Sequence, residues 1–129
     1  MTKAWLKMYA PGVPEELNFE EITMSKVLSR TAEKYPDYTA LNWMGNKIPY
    51  RELDQLVNRF ARALQKLGVK AGDKVALLMP NLPQTVIADY AILRLGAVCV
   101  MNNPLYTERE LKHQLNDSDS ILAVALDLL

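Results

Sequence analysis

The chain is poor in the residues that mark most small binding or redox proteins. It has one cysteine, one histidine, five glycines and two phenylalanines in 129 residues. The single thiol, Cys99, excludes an intramolecular disulfide and a cysteine-rich zinc site, and it suits a reducing compartment. No charge sign prevails, because Lys plus Arg and Asp plus Glu stand at 15 each. That balance gives no net-charge reason to expect a nucleic acid or an anionic membrane as partner. Long apolar runs are missing as well. Lys3 and Lys7 flank Trp5 and Leu6, a stretch too short for a signal peptide or a bilayer span. Internal repeats and low-complexity tracts are also absent.

What remains is a globular composition, 50% hydrophobic and 23% charged, at a length that supports one α/β domain with its own core. Residues 1–22 carry Pro11, Gly12 and Pro14 without a clear period, and read as an extended arm. Residues 23–129 read as a partial α/β subdomain. Thr23 is placed to cap a helix from Met24, with Val27, Leu28, Thr31, Ala32 and Tyr35 on one face and Pro36 ending it. Thr39 to Met44 and Lys47 to Pro49 predict a hairpin turning at Gly45-Asn46. Pro49 lacks an N–H, which places this hairpin at a sheet edge. Leu53, Leu56, Val57, Phe60, Ala61, Leu64 and Leu67 form one apolar stripe, predicting a helix over Arg51 to Leu67 with Gly68 as its stop.

Strand and helix signals alternate from there. Lys74 to Met79 is an apolar run suited to a strand buried on both faces. Pro83 opens a helix to about Leu95 that is apolar almost all round, so it is expected to be covered in the complete protein. Ala97 to Met101 predicts a second buried strand. Thr107 and Glu110 make a capping box for a helix to about Leu115, flanked by Tyr106 and Leu111 at the staple positions. Asn116 to Ser120 reads as a polar turn, and Ile121 to Leu126 as a third strand. The predicted fold class is α/β: an edge β-hairpin followed by a β-α-β-α-β unit with parallel strands and right-handed connections.

Chemistry in such a sheet belongs in loops at the carboxyl ends of the strands. Here those loops read Pro80-Asn81-Leu82-Pro83 and Asn102-Asn103-Pro104-Leu105. Neither contains a glycine or offers a nest of amides to a nucleotide phosphate. His113, between Lys112 and Gln114, reads as a surface residue, and Cys99, between Val98 and Val100, as a buried inert thiol. Asp117-Ser118-Asp119 lacks the glycine and glutamate of a calcium loop. The residues taken alone stop at an α/β unit without an active site of its own.

Several stretches nevertheless resemble a known family. Tyr50-Arg51-Glu52-Leu53, Ala61-Arg62-Ala63-Leu64 and Leu67-Gly68-Val69-Lys70-Ala71-Gly72-Asp73-Lys74-Val75 are similar to the opening of adenylate-forming enzymes. So are Met79-Pro80-Asn81, Leu95-Gly96-Ala97-Val98 and Asn103-Pro104. Tyr9-Ala10-Pro11-Gly12-Val13-Pro14 and the run Asn103 to Leu111 with His113-Gln114-Leu115 resemble the long-chain fatty-acid–CoA ligase branch. This resemblance implies that the chain is the front piece, cut at Leu129, of the large N-terminal domain of such a ligase.

A parent of that kind joins fatty acid to CoA through an acyl-adenylate, using ATP and Mg²⁺. The family's phosphate loop, acidic motifs and catalytic lysine have no counterpart here, so no catalytic or metal residue is assigned, the piece alone is expected to be inactive, and no cofactor is expected to bind it. From topology, Asn102, Asn103 and Tyr106 are the residues expected nearest a substrate cleft. A cytoplasmic enzyme is implied, with peripheral membrane contact open to it. Trp5, Leu6, Met8 and Tyr9 could touch a membrane, although packing of the arm on its own or a neighbouring subunit is the stronger reading. Uncovered apolar surface is expected to make the piece self-associate. Two other readings are a stand-alone α/β interaction module and a piece of an aryl- or amino-acid-adenylating enzyme.

Overall fold

Thr23 turns an irregular arm into a helix. The computed structural model describes residues 3–127, so residues 1–2 and 128–129, at the ends of the expected arm and subdomain, lie outside the described residues. The arm is extended apart from a 3-10 turn at Ala4–Met8. Glu20 ties it to the body through both carboxylate oxygens, which accept from Arg30 Nη1 at 2.9 and 2.7 Å. Helix α1 (Met24–Lys34) starts where Thr23 Oγ1 accepts from the Lys26 amide at 3.3 Å. Leu28 and Ala32 are its buried residues. Tyr35 is exposed and meets Tyr38 edge-on, with ring centroids 5.6 Å apart.

Strands β1 (Thr39–Trp43) and β2 (Asn46–Pro49) pair antiparallel in a two-stranded sheet of their own, so both are edges and the missing N–H of Pro49 is tolerated. The turn differs from the expected Gly45-Asn46. Trp43 faces Asn46, leaving Met44 and Gly45 as the two loop residues, with φ of +49° and +88°. A two-residue hairpin of this twist needs positive φ at both central positions. The register therefore holds Met44 in a conformation that its side chain disfavours.

Helix α2 (Tyr50–Lys66) buries Leu53, Val57, Ala61 and Leu64. Leu67, counted on the stripe from sequence, is the C-cap and is 69% exposed. Beyond it the amides of Gly68 and Val69 donate to the carbonyls of Gln65 and Leu64 at 3.0 and 3.1 Å, a Schellman ending. Helix α3 (Pro83–Arg94) ends in the same way, with Gly96 and Ala97 bonded to Leu93 and Ile92. Gly96 has φ +71°, and a Cβ there would stand 3.2 Å from that of Ala71, so both backbone and space favour glycine.

Strand β3 (Lys74–Leu78) precedes α3, and β4 (Val98–Asn102) follows it. Helix α4 (Glu108–Asp117) leads to β5 (Leu122–Ala125). The three strands are parallel in the order β4-β3-β5. The centre of this sheet is fully covered, with Val75, Ala76 and Leu77 at 0% exposure. The edges are not. Val98 and Met101 of β4 stay about half exposed, so the expectation of a second buried strand is corrected by strand order: β4 is an edge. Leu28, Val57, Leu64, Val75 and Ile92 gather α1, α2, α3 and β3 into one core. Each such side chain contributes roughly 1.5–3 kcal/mol on burial.

The expected capping box of α4 forms. Thr107 Oγ1 accepts from the Glu110 amide at 3.4 Å, and Glu110 Oε2 accepts from the Thr107 amide at 2.8 Å. These bonds hold the Glu110 carboxyl below its ordinary range, the backbone bond first and the Thr107 hydroxyl second. The far end of α4 closes on Asp119 in place of a glycine, at φ +51°.

Arg94 fastens the three-helix layer. Its Nη2 lies 2.8 Å from Asp54 Oδ1 on α2 and 2.9 Å from Ser29 Oγ on α1, and its Nε is 3.0 Å from Ser25 Oγ. The side chains of Arg94 and Asp54 are only 15% and 22% exposed. Removing one partner of so enclosed a pair leaves the other charge desolvated. Arg94→Ala is therefore expected to cost about 3 kcal/mol, seen as a lower urea midpoint at unchanged m value. Arg94→Lys should recover part of the loss, because an ammonium cannot reach α1 and α2 with a planar fork. Equal midpoints for Arg94→Ala and the unaltered chain would remove this role.

Candidate functional site

The order β4-β3-β5 sends the chain outward from β3 to β4 and then back past β3 to β5. Right-handed crossovers put α3 and α4 on opposite faces. The loops after adjacent strands β3 and β4 thus leave the sheet in opposite directions, the position at which open α/β sheets place a ligand crevice. Met79 to Leu82 forms one lip and Asn103 to Thr107 the other.

The β3 lip is shaped by Thr85, which is buried. Its hydroxyl donates to the Pro80 carbonyl and accepts from the Leu82 amide at 3.4 Å, fixing the entry into α3. Beside this lip lies a mainly apolar groove of about 270 Å³, between Leu41, Asn42 and Trp43 of β1 and Asn81, Leu82 and Val86. Sequence reading missed this groove. Its two walls are some forty residues apart, and no local pattern announces their meeting.

The three residues expected near a cleft divide on the other lip. Asn102, expected in the loop, is the last residue of β4, paired with Leu78 and 5% exposed. Its Nδ2 donates to the Val100 carbonyl at 2.7 Å, while its Oδ1 is buried and accepts from no group among the described residues. Asn103 is exposed and spent on the loop itself: its Oδ1 accepts from the Leu105 amide at 3.0 Å and its carbonyl from the Tyr106 amide at 3.1 Å. Tyr106 is 39% exposed. The loop is thus a self-supported turn standing next to a buried, unsatisfied acceptor.

The titratable residues singled out from sequence stand away from an acid–base arrangement. Burial first, and then the Asp89 carboxylate, push the Cys99 thiol up to about 12, so the thiol stays protonated at neutral pH. His113 lies on the exposed side of α4 with Arg109 and Glu110. Among the described residues no group of three His, Cys, Asp or Glu side chains could hold a metal ion, and neither lip presents the glycine amides that cradle a phosphate. The crevice can offer carboxamide and backbone hydrogen bonds and apolar contact, and these are binding functions.

The chain is 39% identical to a long-chain-fatty-acid–CoA ligase of Bacillus subtilis over 98% of its length, covering 23% of that protein. It is 45% identical to the Salmonella typhimurium ligase of the same name over 92% of its length, covering 21% of it. The chain thus spans about a fifth of the length of these relatives. Among solved structures, the inhibitor-bound N-terminal domain of FACL13 from Mycobacterium tuberculosis superimposes with a TM-score of 0.77 at 31% identity. The match covers 80% of this chain and 26% of that one. The N-terminal subdomain of Klebsiella oxytoca NpsA, bound to 3-hydroxybenzoyl-AMSN, gives 0.79 at 27% identity over 83% of this chain and 27% of its own. The profile of the AMP-binding enzymes matches residues 28–128, from the buried Leu28 of α1 to just past β5, and the chain belongs to that family.

Proposed function

We propose that this chain is the N-terminal portion of a long-chain fatty-acid–CoA ligase, in which fatty acid, ATP and CoA yield acyl-CoA, AMP and pyrophosphate through an acyl-adenylate. The observation that carries the reading is identity of 39–45% to ligases of that name over nearly the whole chain. The described residues do not fit Mg²⁺ or a nucleotide phosphate, so both would be held by parts of the enzyme outside this chain. What this portion supplies is the sheet and the crevice lips against which substrate is placed. The family also includes aryl- and amino-acid-activating members, and pyrophosphate exchange separates the readings. The longer enzyme is expected to exchange pyrophosphate with palmitate and not with benzoates or amino acids, while the 129-residue chain shows no exchange. Exchange driven by a benzoate would reassign the substrate.

Within that enzyme, Asn102, Asn103 and Tyr106 are proposed to border the substrate. An acceptor buried without a donor costs roughly 1–3 kcal/mol and persists where it serves binding. Asn102→Leu is expected to raise the stability of this chain by about 1 kcal/mol in urea unfolding. In the longer enzyme it should raise KM for fatty acid or CoA roughly threefold to tenfold, the worth of one hydrogen bond. Asn103→Ala should act in the same direction by loosening the turn. If neither substitution changes either KM, the loop lies outside the site.

Peripheral contact with a membrane and self-association of the 129-residue chain complete the proposal. The arm exposes Trp5, Met8, Leu17 and Phe19, and β4 and β5 are open edges. Light scattering at rising concentration is expected to show dimers or larger species. Monomer mass throughout would end that part of the reading.

A further inference from the structure

Asn102 holds one hydrogen-bonding atom that the described residues leave without a partner. It is the last residue of β4 and 5% exposed, and its Oδ1 is buried and accepts from no group among the described residues. The orientation of the carboxamide is not free. Nδ2 donates to the Val100 carbonyl at 2.7 Å, and turning the group over would set oxygen against oxygen at that distance. The donor of Asn102 is therefore spent, and a lone acceptor remains. A ligand reaches that acceptor only if the neighbouring chain shifts, and the loop that follows is built to shift. The Leu105 and Tyr106 amides both donate to Asn103, which closes the loop on itself. Pro104, Leu105 and Tyr106 make no hydrogen bond to the rest of the fold among the described residues. Leu105 and Tyr106, 85% and 39% exposed, give this loop apolar surface.

We propose that Asn102 Oδ1 accepts an amide N–H of the pantetheine arm of CoA. The proposal rests on the ligase reading above and narrows the substrate that Asn102 borders. Of the substrates of that reaction, fatty acid is excluded by its chemistry: neither its carboxylate at neutral pH nor its alkyl chain carries an N–H or O–H. ATP presents its donors beside groups that this site does not serve. Its ribose hydroxyls stand close to phosphate, and neither lip, Met79 to Leu82 or Asn103 to Thr107, contains a glycine, lysine or arginine. Its adenine edge sets an amine next to a ring acceptor, which calls for a donor beside the acceptor, and the donor of Asn102 is already used. Pantetheine is an uncharged thread of alkyl segments broken by two secondary amides. Each amide turns its N–H and its carbonyl to opposite sides, so one acceptor on one side satisfies the N–H. The alkyl segments match the apolar surface of Leu105 and Tyr106.

Asn102→Leu in the longer enzyme separates the substrates. KM for CoA should rise roughly threefold to tenfold. KM for palmitate and for ATP, read by pyrophosphate exchange without CoA, should not move. Direct contact is read with two CoA analogues, each with one pantetheine amide replaced by an ester, which removes the N–H at nearly unchanged shape. The unaltered enzyme should lose roughly threefold to tenfold in kcat/KM with one of them, and Asn102→Leu should lose nothing further with that analogue. An equal loss in both enzymes would overturn the contact. A palmitate or ATP KM that rises in place of that for CoA would overturn it too, while leaving Asn102 at the substrate border. If no KM moves, Asn102 lies outside the site and both statements fall. A substitution that stabilises the 129-residue chain but destabilises the longer enzyme at unchanged KM would assign the missing donor to another part of the protein, again overturning the contact. Failure of the ligase reading shows separately, as an unaltered longer enzyme that exchanges no pyrophosphate with palmitate.

Discussion

Arg94 is the contact on which the helical layer depends. It stands in the last turn of α3 and reaches Ser25 and Ser29 on α1 and Asp54 and Asn58 on α2. Apolar packing holds α2 and α3 to the sheet, but α1 offers that core only Leu28 and Ala32 as fully buried side chains. A short helix with so little apolar burial gains its place from directional bonds, and Arg94 supplies them in a setting where few water molecules compete. Because Arg30 of α1 in turn holds Glu20 of the arm, the path of residues leading into α1 is set by the same chain of contacts.

The layer so fixed covers one face of β3, and the second crossover puts α4 on the other. Only the middle strand of three is then buried at its centre, and its flanks remain half open. That arrangement explains why a chain with an ordinary core still shows large apolar side chains at Val98, Met101 and Ile121. It is the shape of part of a larger sheet, in keeping with relatives about four to five times as long. The switch of chain direction between β3 and β4 is present here as a backbone feature, while glycine amides that would cradle a phosphate are absent from both of its loops.

Much of the framework was legible from residue order. Capping by Thr23 and by Thr107 with Glu110 depends on atoms three residues apart, and the glycine stops at Gly68 and Gly96 on bonds that reach three to five residues back. Local rules reach that far, so these elements appear where the sequence put them. Errors arose where a distant partner decides. One difference is local: Met44 takes the turn position expected for Asn46 because Trp43 pairs with Asn46 across the hairpin. Asn102 reads from sequence as a loop residue, yet parallel pairing with Leu78 carries β4 one residue further and buries its amide. Leu67 fits the stripe by period but lies past the point where α2 meets its neighbours.

Residue order by itself determined the main helices and strands and the caps that start α1 and α4, since these follow from spacing along a few consecutive residues, while the family came from the likeness of longer stretches. Only the tertiary structure decided which strand is central, that Asn102 Oδ1 is buried without a donor, that Arg94 joins three helices, and that β1 and the β3 loop enclose a groove. The reason is one of distance: these features join residues from about 20 to 70 positions apart, and pairing across such gaps depends on the packed sheet and helices and not on any local pattern.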